Sequence, residues 1–174
     1  RCSGEGGPNR DRLEGPHEDA FTQHKRRPHR GCIMAHNLQT ERDQDMKIYV
    51  TSVFVDDQDK AEKFYTEILG FKVKHNIPLG TNRWLTVVSE EDPEGTELLL
   101  EPSEHPAVGP YKEAIIADGI AAHSFQVQDL DAEWKKLSER GVTFVTEPMD
   151  AGAVHLAVFD DTCGNLIQLV QMKA

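Results

Sequence analysis

Along residues 47–171 the hydrophobic positions either alternate with polar ones or stand in brief apolar blocks, the pattern of half-buried strands, and a helical stripe interrupts them twice. The run "KIYVTSVFV" (47–55) predicts a strand. Asp57 follows as an N-cap, and Ala61, Phe64, Tyr65, Ile68 and Leu69 recur at helical spacing up to Gly70, which is placed as a C′ glycine. Three further strands are expected at "FKVKHNI" (71–77), "RWLTVVS" (83–89) and "TELLLEP" (96–102), with "EEDPEG" joining the last two as a hairpin.

The same order then returns. "AAHSFQV" (121–127) reads as a strand, Asp129 as a cap, Leu130, Trp134 and Leu137 as a helix stripe, and Gly141 as its end. Strands follow at "VTFVTE" (142–147), "AVHLAVF" (153–159) and "NLIQLVQ" (165–171), the last two joined through "DDTCG". Val55 and Asp57 match Val127 and Asp129 at an offset of 72, whereas Gly70 and Gly141 match at 71. The expected fold class is therefore α+β, with two βαβββ modules (47–102 and 119–172) in one domain, because each module leaves a sheet face that only the other can cover. The connector, 103–118, contains "YKEAIIA", a short helix expected to do no more than bridge the modules.

Residues 1–45 show neither period. They carry eight basic and eight acidic side chains, so the whole net charge of −11 belongs to 46–174. The first segment is expected to be a disordered or non-native extension, with Met46 as the natural start of a single domain spanning 46–174. Within it, "HKRRPHR" (24–30) is a basic run cancelled by flanking acids, and a solvated run is preferred over a nucleic-acid patch. His24, His29, Cys32 and His36 are donors at spacings zinc tolerates, but they lack a second knuckle and a framework to fold around.

Composition adds exclusions. A chain of 174 residues, 38% hydrophobic and 28% charged, fits one domain or two small ones. No apolar stretch approaches the ~18 residues a spanning helix needs, and no signal-peptide core is present. Three scattered cysteines, Cys2, Cys32 and Cys163, favour a reducing, cytoplasmic setting. The acidic balance argues against nucleic acid as a partner.

Three segments carry a specific likeness: "VFVDDQDKAEKFYTEILGF" (53–71), "VQDLDAEWKKLSERGV" and "VFDDTCGNLIQLV". Together they resemble the vicinal oxygen chelate superfamily of glyoxalases, bleomycin resistance proteins and extradiol dioxygenases, over about Lys47 to Gln171. The resemblance implies an incomplete eight-stranded barrel around a cavity, often completed in a homodimer. It also implies a divalent metal held by His, Glu or Gln at four positions, which fall here on Val50, Leu99, Ala122 and Gln168. Three of these four cannot donate an electron pair, so no metal or other cofactor is expected. His123, beside Ala122, is turned by strand alternation toward the helices with Phe125 and Val127, whereas Glu101 shares the face of Leu99 without companion ligands.

Alternation also lists the lining of the implied cavity: Val50, Ser52 and Phe54; Trp84 and Thr86; Leu99 and Glu101; Ala122, Ser124 and Gln126; Leu166, Gln168 and Val170. Such a lining fits reversible binding of a flat or amphipathic small molecule, unless Phe54, Trp84 and Leu166 simply fill the space. Arg83 is a candidate clamp for an anionic group, with a stacked surface pair as its plain alternative, and Tyr111 and Phe159 are further residues of interest. His155 and Glu101 are candidates for a general base. Cys163 reads as a turn residue, and Glu90, Glu91 and Asp92 as solvated turn chemistry.

Three functions compete. The first is a small-molecule binding protein, similar to the bleomycin-resistance branch, with a metal-free apolar cavity. The second is a lyase or dioxygenase-type enzyme with relocated metal ligands or a Glu or His base. The third is a structural dimer without ligand.

Overall fold

The computed structural model describes residues 46–173. The readings made of residues 1–45, including the basic run and the His24, His29, Cys32 and His36 set, lie outside the described residues. Module one contains β1 (Val50–Val55), α1 (Gln58–Lys63), a π-helical turn (Phe64–Ile68), β2 (Lys72–Leu79), β3 (Asn82–Val88) and β4 (Glu97–Pro102). The connector holds α2 (Val108–Ala117). Module two contains β5 (His123–Gln126), α3 (Leu130–Glu139), β6 (Phe144–Asp150), β7 (Val154–Asp160) and β8 (Leu166–Met172). No described helix is long and apolar enough to cross a membrane.

Among the described residues these strands form two four-stranded sheets, ordered β1-β4-β3-β2 and β5-β8-β7-β6. In each, the first strand runs parallel to the last and the remaining pairs are antiparallel. The two βαβββ modules are thus as expected, and the sheets are not closed into a barrel. Strand ends shift by a few residues; β5 is only four residues long, although the amides of Ala122 and Val127 on either side of it also donate to β8, at the carbonyls of Leu166 (2.8 Å) and Val170 (2.9 Å).

The predicted caps are present. The Asp57 carboxylate accepts from the amides of Asp59 (2.8 Å) and Lys60 (3.0 Å), and that of Asp129 accepts from Ala132 (3.0 Å), satisfying first-turn donors that have no partner within the helix. Gly70 and Gly141 close the helices at φ +89° and +86°, left-handed values that a Cβ would oppose. The change of offset from 72 to 71 has a structural counterpart. Module one has one more residue than module two between cap and closing glycine, and the π-helical turn Phe64–Ile68 absorbs it.

One apolar core serves both modules. Val53, Val55, Leu85, Val87, Leu98 and Leu100 face Ala61, Phe64 and Tyr65, and continue into Leu130, Leu137, Ala157, Phe159, Ile167 and Leu169. Aromatic pairs cross between modules, Phe64 with Phe159 (centroids 6.2 Å apart) and Phe71 with Phe125 (5.1 Å, edge to face).

A buried polar cluster fastens the same junction. Asp161, fully buried in the β7–β8 turn, accepts from the amides of Cys163 (2.8 Å) and Asn165 (2.9 Å), the Asn165 side chain (2.7 Å) and the Tyr65 hydroxyl (2.9 Å). Asn165 also donates to the carbonyl of Phe54 at 2.8 Å. From α2, the buried Lys112 ammonium reaches Asp56 (2.7 Å), the carbonyls of Cys163 (2.8 Å) and Phe54 (3.2 Å), and Ser103 (3.3 Å). The connector therefore does more than bridge: its lysine ties the end of β1 to the turn of module two.

Candidate functional site

Period 2 gives each sheet one face toward the helices and one away from them, and the register fixes which side chains share the second. In module one, His75 pairs with Thr86, Thr86 with Leu99, and Leu99 with Ser52, a row that crosses the whole sheet. The pairs Ile77 with Trp84, Phe54 with Glu101 and Val50 with Glu97 lie on the same face. In module two the corresponding row is Thr146, Val158, Gln168 and Ser124, followed by Met149, Leu156, Val170 and Gln126.

Four of the predicted lining residues, Phe54, Trp84, Leu99 and Glu101, therefore share one face of module one, and Ser124, Gln126 and Gln168 share the equivalent face of module two. Leu99 is buried, Phe54, Trp84, Glu101 and Gln168 are half-buried, and Ser124 and Gln126 are exposed. Leu99 and Gln168 occupy equivalent positions, opposite Ser52 and Ser124.

The remaining candidates stand elsewhere. Arg83 neighbours Trp84 and so points the other way, toward α1, where its guanidinium meets Asp59 (2.6 Å) and Glu62 (2.7 Å). Its backbone is clasped by Gln58, whose amide group accepts from Arg83 N (2.9 Å) and donates to the carbonyls of Arg83 and Leu100 (both 2.8 Å). Arg83 lines a cleft of about 440 Å³ with Asp56, Asp57, Asp59, Asn82 and Glu104. Tyr111 is exposed on α2. His155 pairs with Asp150 and Gln171 and has the parity of Ala157 and Phe159, opposite to that of Gln168. Phe159 is a core residue. Cys163 is the turn residue expected; burial, then the nearby Asp161 carboxylate, push its thiol up to about 11, which suppresses the reactive thiolate.

His123 is half-buried on the helix side, as alternation requires, and burial lowers its pKa below the ordinary value. Its Nε2 lies 3.4 Å from the Thr51 hydroxyl, and its buried Nδ1 has no partner among the described residues.

Glu97 escaped the sequence reading. It is 1% exposed on the face that carries Leu99, and neither carboxylate oxygen has a hydrogen-bond donor among the described residues. Thr86, fully buried on that face, likewise has a hydroxyl without a partner. The signal was available: in "TELLLEP", Glu97 has the parity of Leu99 and Glu101. A second cleft of about 430 Å³ lies between the modules, with Phe71, Phe125, Leu137 and Leu169 among its lining and Glu90, Glu91, Asp129 and Glu133 around them.

The model of the Glyoxalase/Bleomycin resistance protein/Dioxygenase superfamily matches residues 47–169. YurT, an uncharacterized protein of Bacillus subtilis (strain 168), is 58% identical over 126 residues, covering 72% of this chain and 99% of its own length. Among solved structures, UcmS2 is 33% identical with a TM-score of 0.63, covering 72% of this chain and 97% of its own. TnmS3, an antibiotic binding protein from Streptomyces sp. CB03234, is 30% identical with a TM-score of 0.61, covering 74% of this chain and 97% of its own.

Proposed function

The chain belongs to the Glyoxalase/Bleomycin resistance protein/Dioxygenase superfamily, and we propose that within it the protein binds a small organic molecule, without a resident metal, in a sequestering or carrier role. The observation that carries this reading is the face of module one away from the helices. There Phe54, Trp84 and Leu99 present apolar and aromatic surface, with Glu101 as a polar group among them. The donor chemistry at the family's metal positions points the same way. Val50, Leu99 and Ala122 have no side-chain lone pair, and the neutral amide of Gln168 is left as a single ligand, so this set does not fit a divalent ion. Similarity to an antibiotic binding protein supports small-molecule binding over turnover.

In this reading the protein works in the cytoplasm as a homodimer. Support for pairing comes from apolar side chains left exposed on the outer strands of the two sheets, Ile77, Leu79, Val145 and Met149.

The test is a titration of the full chain with planar polycyclic antibiotics, read by tryptophan emission in a Trp134→Phe background so that Trp84 alone reports. Metal content by elemental analysis accompanies it, with thermal shifts against Mn, Fe, Ni, Co and Zn. Saturable quenching that persists in chelator is expected. A stoichiometric metal, or a metal-induced rise of several degrees, overturns the metal-free reading.

A further inference from the structure

A carboxylate is an acceptor only, and one taken out of water without donors is among the costliest arrangements a fold can hold. Glu97 is in that position. Its Oε1 lies 3.5 Å from His75 Nε2 and 3.8 Å from Lys74 Nζ, and neither carboxylate oxygen has a hydrogen-bond partner among the described residues. The Lys74 ammonium is turned to other acceptors, the carbonyl of Pro93 at 2.8 Å and Glu94 at 3.4 Å. The orphaned Thr86 hydroxyl stands on the same face, between Leu99 and His75 in the row that crosses the sheet. Native structures satisfy nearly all buried polar groups, so two orphans on one face mark a place where a donor is supplied from outside the fold.

We propose that Glu97, with Thr86 on the same face, anchors the hydrogen-bond-donating group of the ligand, and that the ligand class is an aromatic molecule carrying a protonated amine or amidine. The inference rests on the small-molecule reading above and names the chemistry that reading leaves open. A cationic donor gives Glu97 the charge-assisted hydrogen bonds the fold withholds, and Thr86 can accept from the same group or donate to a ligand oxygen. Phe54 and Trp84 on that face offer stacking and cation–π surface to the rest of the molecule. An anionic ligand would meet both Glu97 and Glu101, in a chain of net charge −11.

Three tricyclic probes of similar area test it on the full chain in the Trp134→Phe background: cationic 9-aminoacridine, neutral acridone and anionic anthraquinone-2-sulfonate. The expected result is that 9-aminoacridine quenches Trp84 at least about ten-fold more tightly than the sulfonate. Glu97→Gln should weaken 9-aminoacridine by about ten-fold or more while leaving acridone within about two-fold. Lys74→Met, which removes a competing cation, should tighten 9-aminoacridine. Without ligand, Glu97→Gln should keep or raise the wild-type Tm. A fall of more than about 3 °C would assign Glu97 to a structural ion pair with Lys74 and His75 and overturn the proposal. Equal binding of all three probes, unchanged by Glu97→Gln, would also overturn it while leaving the small-molecule reading in place. If none of the probes binds, that reading falls too.

Discussion

The two modules repeat one plan and differ most where they meet. Their helices begin on the same aspartate cap and end on the same left-handed glycine, yet module one carries one extra residue between them and absorbs it in a π-helical turn. That turn begins with Phe64 and Tyr65, which reach across to Phe159 and Asp161 of module two. Module two, with a regular helix, sends Arg140 the other way from just past the end of that helix, to the carbonyl of Ile68 at 2.6 Å. The irregularity therefore sits where it joins the halves, and the regular copy receives the contact.

The hairpin turns divide in the same manner. Between β3 and β4, the acids Glu90, Glu91, Asp92 and Glu94 are all exposed. At the equivalent place between β7 and β8, Asp161, Cys163 and Asn165 are buried. One carboxylate is solvated and the other accepts four hydrogen bonds, so equivalent turns should respond very differently to the loss of an acid. Asp161→Ala leaves the Tyr65 hydroxyl and two backbone amides without their acceptor and takes from the Asn165 side chain one of its two. It should cost more than about 3 kcal/mol in urea denaturation, whereas Asp92→Ala should stay within about 0.5 kcal/mol. Similar losses from both would erase the distinction between the turns.

A smaller effect at high pH sharpens the same contrast. Burial and the Asp161 charge raise the Tyr65 hydroxyl above its ordinary range and the Cys163 thiol to about 11. Both are acids whose folded pKa lies above the unfolded value, so their contribution is complete below the unfolded pKa and is lost as pH climbs. For Cys163 that window opens near 9 and runs to about 11. Thermal unfolding followed from pH 8 to 11 should show falling stability, and Cys163→Ala should make the decline shallower. An unchanged slope in the variant would mean that the thiol is not insulated by the junction.

What was legible in the sequence follows the range of the interactions. The caps at Asp57 and Asp129 and the closing glycines are written locally, and period 2 correctly set Leu85 and Val87 against the helices with Trp84 and Thr86 on the other face. The same rule also determines that Arg83 and His155 leave the face of the binding candidates, although a charged residue beside a tryptophan suggested a ligand clamp. Lys112 was not legible. A lysine on a short connector helix reads as solvated, and only the meeting of β1, α2 and the β7–β8 turn removes it from water. Glu97 was hidden differently, since its parity was readable but the burial that leaves it without a donor comes from tertiary packing.

The smallest expected effect lies where the modules touch at equivalent positions. Thr51 and His123 are 72 residues apart, the offset of the duplication, and their side chains approach to 3.4 Å, so one copy carries a hydroxyl and the other an imidazole. Burial lowers the His123 pKa. A histidine with a depressed folded pKa contributes stability that is present above the unfolded value near 6.5 and is lost as pH falls, because the unfolded chain takes up its proton first. His123→Leu should therefore flatten the loss of stability between about pH 7 and 5 while changing stability at pH 8 by less than about 1 kcal/mol. The other seven histidines are common to both proteins, so the difference between the two pH curves isolates His123. Parallel curves would show that the imidazole at the junction stays in contact with solvent, and that the contact between equivalent positions is looser than the aromatic and carboxylate contacts beside it.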